Sequence, residues 1–129
     1  MAVASVRMAL GLDAVASGAM GVMLALGAGL AAPVLGLPEG LLRACGVFFL
    51  PWAALVGWLA MRPAPGRRAV AWIAALNAVW VVDSVLLLAT GWVSPTGLGV
   101  AFVLAQAAAV AVFAALQAAA LPAAPVAIA

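Results

Sequence analysis

Residues 8–30 read MALGLDAVASGAMGVMLALGAGL, and Asp13 is the one ionisable side chain in that run. A hydrocarbon core about 30 Å thick is crossed by roughly 20 predominantly apolar helical residues, so the stretch is long enough to span it. Residues 41–61, 69–91 and 97–121 meet the same length and apolarity. The separators carry turn chemistry: AAPVLGLPEG at 31–40, RPAPGRR at 62–68 and WVSPT at 92–96. In the last of these, Ser94 is expected to cap the fourth helix, with Pro95 as its first residue. Lipid admits only helices and closed barrels, because every backbone N–H and C=O must find a partner without water. None of the four runs alternates apolar and polar residues as a barrel strand does. The expectation is an all-α fold, a four-transmembrane-helix bundle in which residues 1–129 form a single integral membrane domain.

Composition narrows the function classes. Hydrophobic residues make up 71% of the chain and charged ones 6%, against about 45–50% and about 25% in a soluble domain. The net charge of +2 comes from five arginines against three acids, with no basic face, and so excludes nucleic-acid binding. Histidine is absent and Cys45 is the single cysteine. A lone thiol without histidine makes no intrachain disulfide, metal site or activated nucleophile, so Cys45 reads as a small buried residue. Haem held by two histidines is excluded in the same way, and no glycine-rich phosphate loop occurs. Intramembrane aspartyl proteolysis needs two facing carboxylates, whereas Asp13 and Asp83 fall at different depths. The expectation is a protein without enzymatic activity, cofactor or metal.

Arginine placement sets the direction. Arg7 precedes the first span and Arg62, Arg67 and Arg68 lie between the second and third; only Arg43, near Glu39, lies on the other side. Positive residues stay cytoplasmic, so both termini and residues 62–68 are expected inside, with Glu39 and Trp92 outside. The N-terminal run superficially resembles a signal peptide. It is longer than the usual apolar region of about 7–15 residues and contains Asp13, and so reads as an uncleaved span.

A shift of 64 residues lays Leu12-Asp13-Ala14-Val15 on Leu76-Asn77-Ala78-Val79, Leu24-Ala25 on Leu88-Ala89 and Gly27 on Gly91. Two pseudo-repeated helical hairpins would put Asp13 and Asn77 at one depth on equivalent faces. Ionisable groups in a span are costly, roughly 2.5–3.5 kcal/mol for an aspartate at the centre. Helical phase puts Asp13 on a stripe with Ala16, Ser17 and Met20, and Asn77 on one with Trp80 and Ser84. Gln106 shares a third with Phe102, Val110, Phe113 and Gln117. Depth sorts these side chains into an inner pair, Asp13 with Asn77, and an outer cluster of Asp83, Ser84 and Gln106. Arg43 is expected to reach down toward that cluster. The inner pair is expected to meet where the first and third helices cross, while Gln117 turns to water near the inner surface. Pro51 should bend the second helix, and Phe48, Phe49 and Trp52 around the bend, with Trp80, would either pack as ordinary core, the stronger expectation, or line an apolar pocket. Each polar group has two readings: glue between helices, or a proton- or ligand-handling site.

The stretches Asp13-Ala-Val-Ala-Ser-Gly18, Asn77-Ala-Val-Trp80, Pro95-Thr-Gly-Leu-Gly99 and Gln106-Ala107 resemble those of small, uncharacterised four-span integral membrane proteins of GC-rich bacteria. That resemblance implies no activity. Four spans with an acid in the first also look like the small multidrug resistance family, although its glutamate and surrounding pattern are matched only by Asp13. The expected role is an accessory or scaffold subunit, or a binder of a lipophilic molecule, in the bacterial cytoplasmic membrane. Membrane lipids are the expected surroundings, with other membrane subunits or a second copy of the chain as possible partners. The alternative is a small proton-coupled transporter of hydrophobic compounds using Asp13.

The arginine asymmetry predicts sidedness. In a Cys45→Ser background, Ala64→Cys should react with an impermeant maleimide only from the cytoplasmic face, and Ser94→Cys only from the opposite face. Labelling of position 64 from outside would reverse the assignment.

Overall fold

The computed structural model of the chain describes residues 2–121, with side chains from Ser5 onward; the C-terminus, expected inside, lies outside the described residues. The described residues form four helices and no strand: α1 Ala2–Leu35, α2 Glu39–Met61, α3 Arg67–Ala89 and α4 Gly97–Ala119. All four are long and apolar enough to cross a membrane. Large apolar side chains such as Val15, Leu26, Leu30 and Met61 point outward, as a lipid-facing surface requires.

The first helix is longer than the sequence suggested. It runs through Ala31, Ala32 and Pro33 to Leu35, so the expected ten-residue separator contracts to Gly36, Leu37 and Pro38. Proline in the last turn removes only one backbone bond. The actual stop is Gly36, whose φ of +66° suits a residue without a Cβ. The N–H groups of Gly36 and Leu37 both donate to Ala32 O, at 2.8 and 3.3 Å. At 1.5 Å per residue α1 is about 51 Å long, well beyond a hydrocarbon core, so it tilts or projects. The second helix continues unbroken through Pro51.

Close approach of α1 and α2 follows from small residues. A Cβ on Gly46 would overlap the backbone of Leu24 and Ala25, and one on Gly21 would press on Gly46 O and Phe49. Gly18 faces Ala53 and Gly57 faces Ala14 along the same seam. Small residues let backbones meet in lipid, where van der Waals contact drives association. The 64-residue correspondence puts Val85 and Val110 where the first hairpin has Gly21 and Gly46. Accordingly α3 lies less closely against α4 than α1 does against α2. The hairpins are joined by α1 against α4. Among the described residues α2 and α3 make no comparable contact, so the pseudo-repeat is not carried into symmetric assembly. It also fails at Gly27, which lies inside α1, whereas Gly91 follows the end of α3 at a φ of +75°.

The outer ends of α1 and α4 satisfy one another. Ser94 and Pro95 lie before the fourth helix; its cap is Thr96, whose hydroxyl accepts from Gly99 N–H at 3.1 Å. That hydroxyl donates to Val34 O at 2.8 Å, and Thr96 N–H donates to Leu35 O at 3.0 Å. The expected Ser94 cap is thus displaced two residues, to Thr96, whose side chain and backbone N–H each also reach a carbonyl left free at the end of α1. At the opposite end of the bundle, Arg7 Nε donates to Ala60 O at 2.9 Å, a cation at the last turn of α2. Two apolar clusters lie toward the ends, Val6, Leu10, Val56, Leu59, Val70 and Ile73 at the N-terminal end of α1 and Leu24, Ala28, Leu37, Leu42 and Val103 at its C-terminal end. Polar and aromatic side chains occupy the level between them.

Gly46→Ala should destabilise the bundle by about 1–3 kcal/mol, because its methyl group meets helix backbone. Gly57→Ala, whose Cβ would stand 3.6 Å from Ala14 Cβ, should be tolerated. Unfolding in mixed detergent and denaturant micelles measures both, and equal losses would refute the close crossing at Gly46.

Candidate functional site: a polar cluster beneath an aromatic groove

The interior polar cluster is built on Asp13, which is 1% exposed. Asn77 Nδ2 on α3 donates to Asp13 Oδ2 at 2.7 Å, and Gln117 Nε2 on α4 donates to the same oxygen at 2.8 Å. Ser17, one turn along α1, donates to Oδ1 at 2.9 Å. Asn77 Nδ2 also donates to Gln117 Oε1 at 3.0 Å. The carboxyl group therefore accepts three hydrogen bonds, and the two amides brace one another around it. No cation takes part, yet among the described residues no buried side-chain oxygen or nitrogen is left without a partner. Such satisfaction is what makes a polar group tolerable at low dielectric.

Asp13 and Asn77 meet as their stripes suggested, but α1 and α3 do not pack directly at a crossing; side chains alone bridge them. Gln117 departs from its expected place at the water interface. It is 0% exposed, because residues 116–121, the end of α4 and the two residues after it, lie along residues 5–12 of a first helix that begins earlier than expected. Its signal in the sequence was the stripe that it shares with Gln106.

The outer cluster forms without two of its expected members. Gln106 Oε1 accepts from Trp80 Nε1 at 2.8 Å, and Gln106 Nε2 donates to Ser84 Oγ at 2.9 Å and to Val103 O at 2.8 Å. Ser84 Oγ in turn donates to Trp80 O at 2.8 Å. Arg43 does not reach this level; it pairs with Glu39 at 2.7 Å, one turn away on its own helix, where both ends stay half-exposed. Asp83 is exposed and forms no hydrogen bond or ion pair with another described residue. Helical phase explains the split, since Ser84 faces α4 while Asp83 faces the gap toward α2.

Between these clusters lies a groove of about 280 Å³. Its floor comes from α1 and α4, with Ser17, Met20, Gln106 and Val110, and its walls from the unclosed pair α2 and α3. Phe48, Phe49, Trp52 and Trp80 all line it. Phe48 and Trp80 lie parallel, their rings 6.1 Å apart and 5° from coplanar, and Phe49 tilts against Trp80 at 4.9 Å. Phe48 also stacks on Trp52 at 6.3 Å. A second groove of about 230 Å³ shares Met20, Phe49, Trp80, Asp83 and Gln106, and continues past the half-buried Cys45. Trp80, anchored by Gln106, stands between the two. Asp13 lines neither groove. Among the described residues no group of histidine, cysteine and acidic side chains is arranged to hold a metal ion. No family model matches the chain, and no curated protein or solved structure does either.

The shared Asp13 oxygen predicts coupling. Asn77→Leu and Gln117→Leu should each destabilise the bundle by about 1–3 kcal/mol, the cost of stranding buried hydrogen-bonding groups. The double variant should cost measurably less than the sum. Strict additivity in micellar unfolding would contradict the three-residue cluster.

Proposed function

We propose that this chain is a non-enzymatic integral membrane protein that binds a lipophilic molecule in the groove between α2 and α3. The observation that carries the reading is the aromatic-lined groove on the side where α2 and α3 meet through bulky side chains alone. Apolar clefts with a few convergent polar groups are the usual form of a small-molecule site. Here the walls are phenyl and indole faces, and the polar groups are Ser17, Asn77, Gln106 and Asp83. Opening sideways suits a ligand that arrives from the lipid. The distribution of arginines supports the bacterial cytoplasmic membrane with both termini inside.

The accessory-subunit role is compatible with the same groove, since a membrane partner or a second copy would use the same lateral face. The transporter reading draws less support. Its proton carrier would be Asp13, which is held by three donors and itself lines neither groove. That arrangement favours Asp13 as the residue that joins helices.

Native mass spectrometry of the protein extracted in mild detergent tests the proposal. Wild type should retain a lipophilic small molecule at about one per chain. Val110→Trp, which fills the groove, and Phe48→Ala, which removes a wall that is already 52% exposed, should lose it with the bundle intact. Retention by the filled variant would remove the groove from consideration, and a co-purifying protein lost on the same substitutions would favour the subunit role.

A further inference from the structure

We infer that Asp83 makes the aromatic groove selective for a lipophilic monocation, an inference that rests on the groove holding a lipophilic molecule. Asp83 lies six residues before the end of α3 at Ala89, about 9 Å along the helix and inside the apolar span. It is exposed, it lines both grooves, and no described residue bonds to it. A carboxylate facing hydrocarbon is stabilised by a partner of opposite charge, and no described residue is paired with this one. Arg43 is taken by Glu39, Arg7 by Ala60 O, and Arg62 lies over the Trp58 ring at 4.8 Å. Arg67 and Arg68 begin α3, at its opposite end.

The surroundings of the carboxylate suit a cation with apolar substituents. The ring faces of Trp80, Phe48 and Phe49 carry the negative side of the aromatic quadrupole, and indole is the strongest of the common cation–π partners. Gln106 Oε1 and the hydroxyl of Ser84 are engaged within the protein, which leaves Asp83 as the charged contact. One carboxylate among apolar walls matches one positive charge. The same carboxylate repels lipid phosphate, so the groove discriminates against the commonest charged groups around it.

The full chain in mild detergent, with tetraphenylphosphonium and neutral triphenylphosphine oxide as probes in equilibrium dialysis, tests this selectivity. Wild type should bind the cation about tenfold more tightly than the neutral oxide. Asp83→Asn should abolish that preference while affinity for the oxide holds, and Asp83→Glu should keep it. Equal binding of both probes by wild type overturns the inference and leaves the groove reading standing. Preference surviving Asp83→Asn overturns it as well, as does loss of both probes in that variant, because Asp83 would then be supporting the groove itself. Binding of neither probe by wild type removes the groove reading and the inference together.

Discussion

A carboxyl group inside a membrane-spanning bundle must collect its hydrogen bonds from the bundle, because no water is present to supply them. Asp13 collects three, from Ser17 on its own helix, Asn77 on α3 and Gln117 on α4. That requirement ties three of the four helices to one atom group and fixes how the second hairpin sits against the first. A slide of α3 or α4 by one turn would carry its amide about 5.4 Å away and strand the carboxyl group. Apolar faces alone would tolerate many such slides, since lipid is as apolar as leucine and supplies no hydrophobic force between helices. The expense of an intramembrane aspartate is thus matched by the register it imposes.

With the register set, local size differences decide the shape. Gly21 and Gly46 allow α1 and α2 to touch backbone to backbone, and Thr96 and Gly99 bring α4 onto the end of α1. A Cβ at position 99 would overlap Leu35 O, so this junction also depends on an absent side chain. These two contacts use up the close approaches of α1. On the remaining side, Phe48, Phe49 and Trp80 stand between α2 and α3 and hold them apart. The outcome is a bundle whose helices pack directly on three sides and meet through aromatic side chains on the fourth. The groove is therefore a consequence of bulky rings on one seam and glycines on another.

The polar residues of the chain divide their labour accordingly. Those in the inner cluster spend their hydrogen-bonding capacity on one another and on the join between hairpins. Gln106 does the same for Trp80, fixing the indole that separates the two grooves. Asp83, inside the apolar span of α3, has no hydrogen-bond or ion-pair partner among the described residues. Such a residue, at a depth where its charge is costly, is what the proposed ligand contact at the groove rests on.

The four spans, the helical class and the meeting of Asp13 with Asn77 were legible in the chain. Each depends on a short-range property: length of apolar run, helical phase, or depth counted in residues. Turn residues were legible as turns but not as to which one acts, and Thr96 displaced Ser94 because its hydroxyl also reaches Val34 O, a partner 62 residues away. Gln117 was misjudged for a related reason. Its distance from the end of α4 is a local count, whereas its burial depends on how far α1 runs past it. Likewise, pairing Arg43 with Asp83 required the two helices to lie close, and the rings between α2 and α3 prevent that, so Arg43 takes Glu39 one turn away on its own helix. By itself the sequence determined what must cross the membrane and which side chains need partners there. Which partners they find, and which seam stays open, only the tertiary structure decided, because both depend on contacts between residues far apart in the chain.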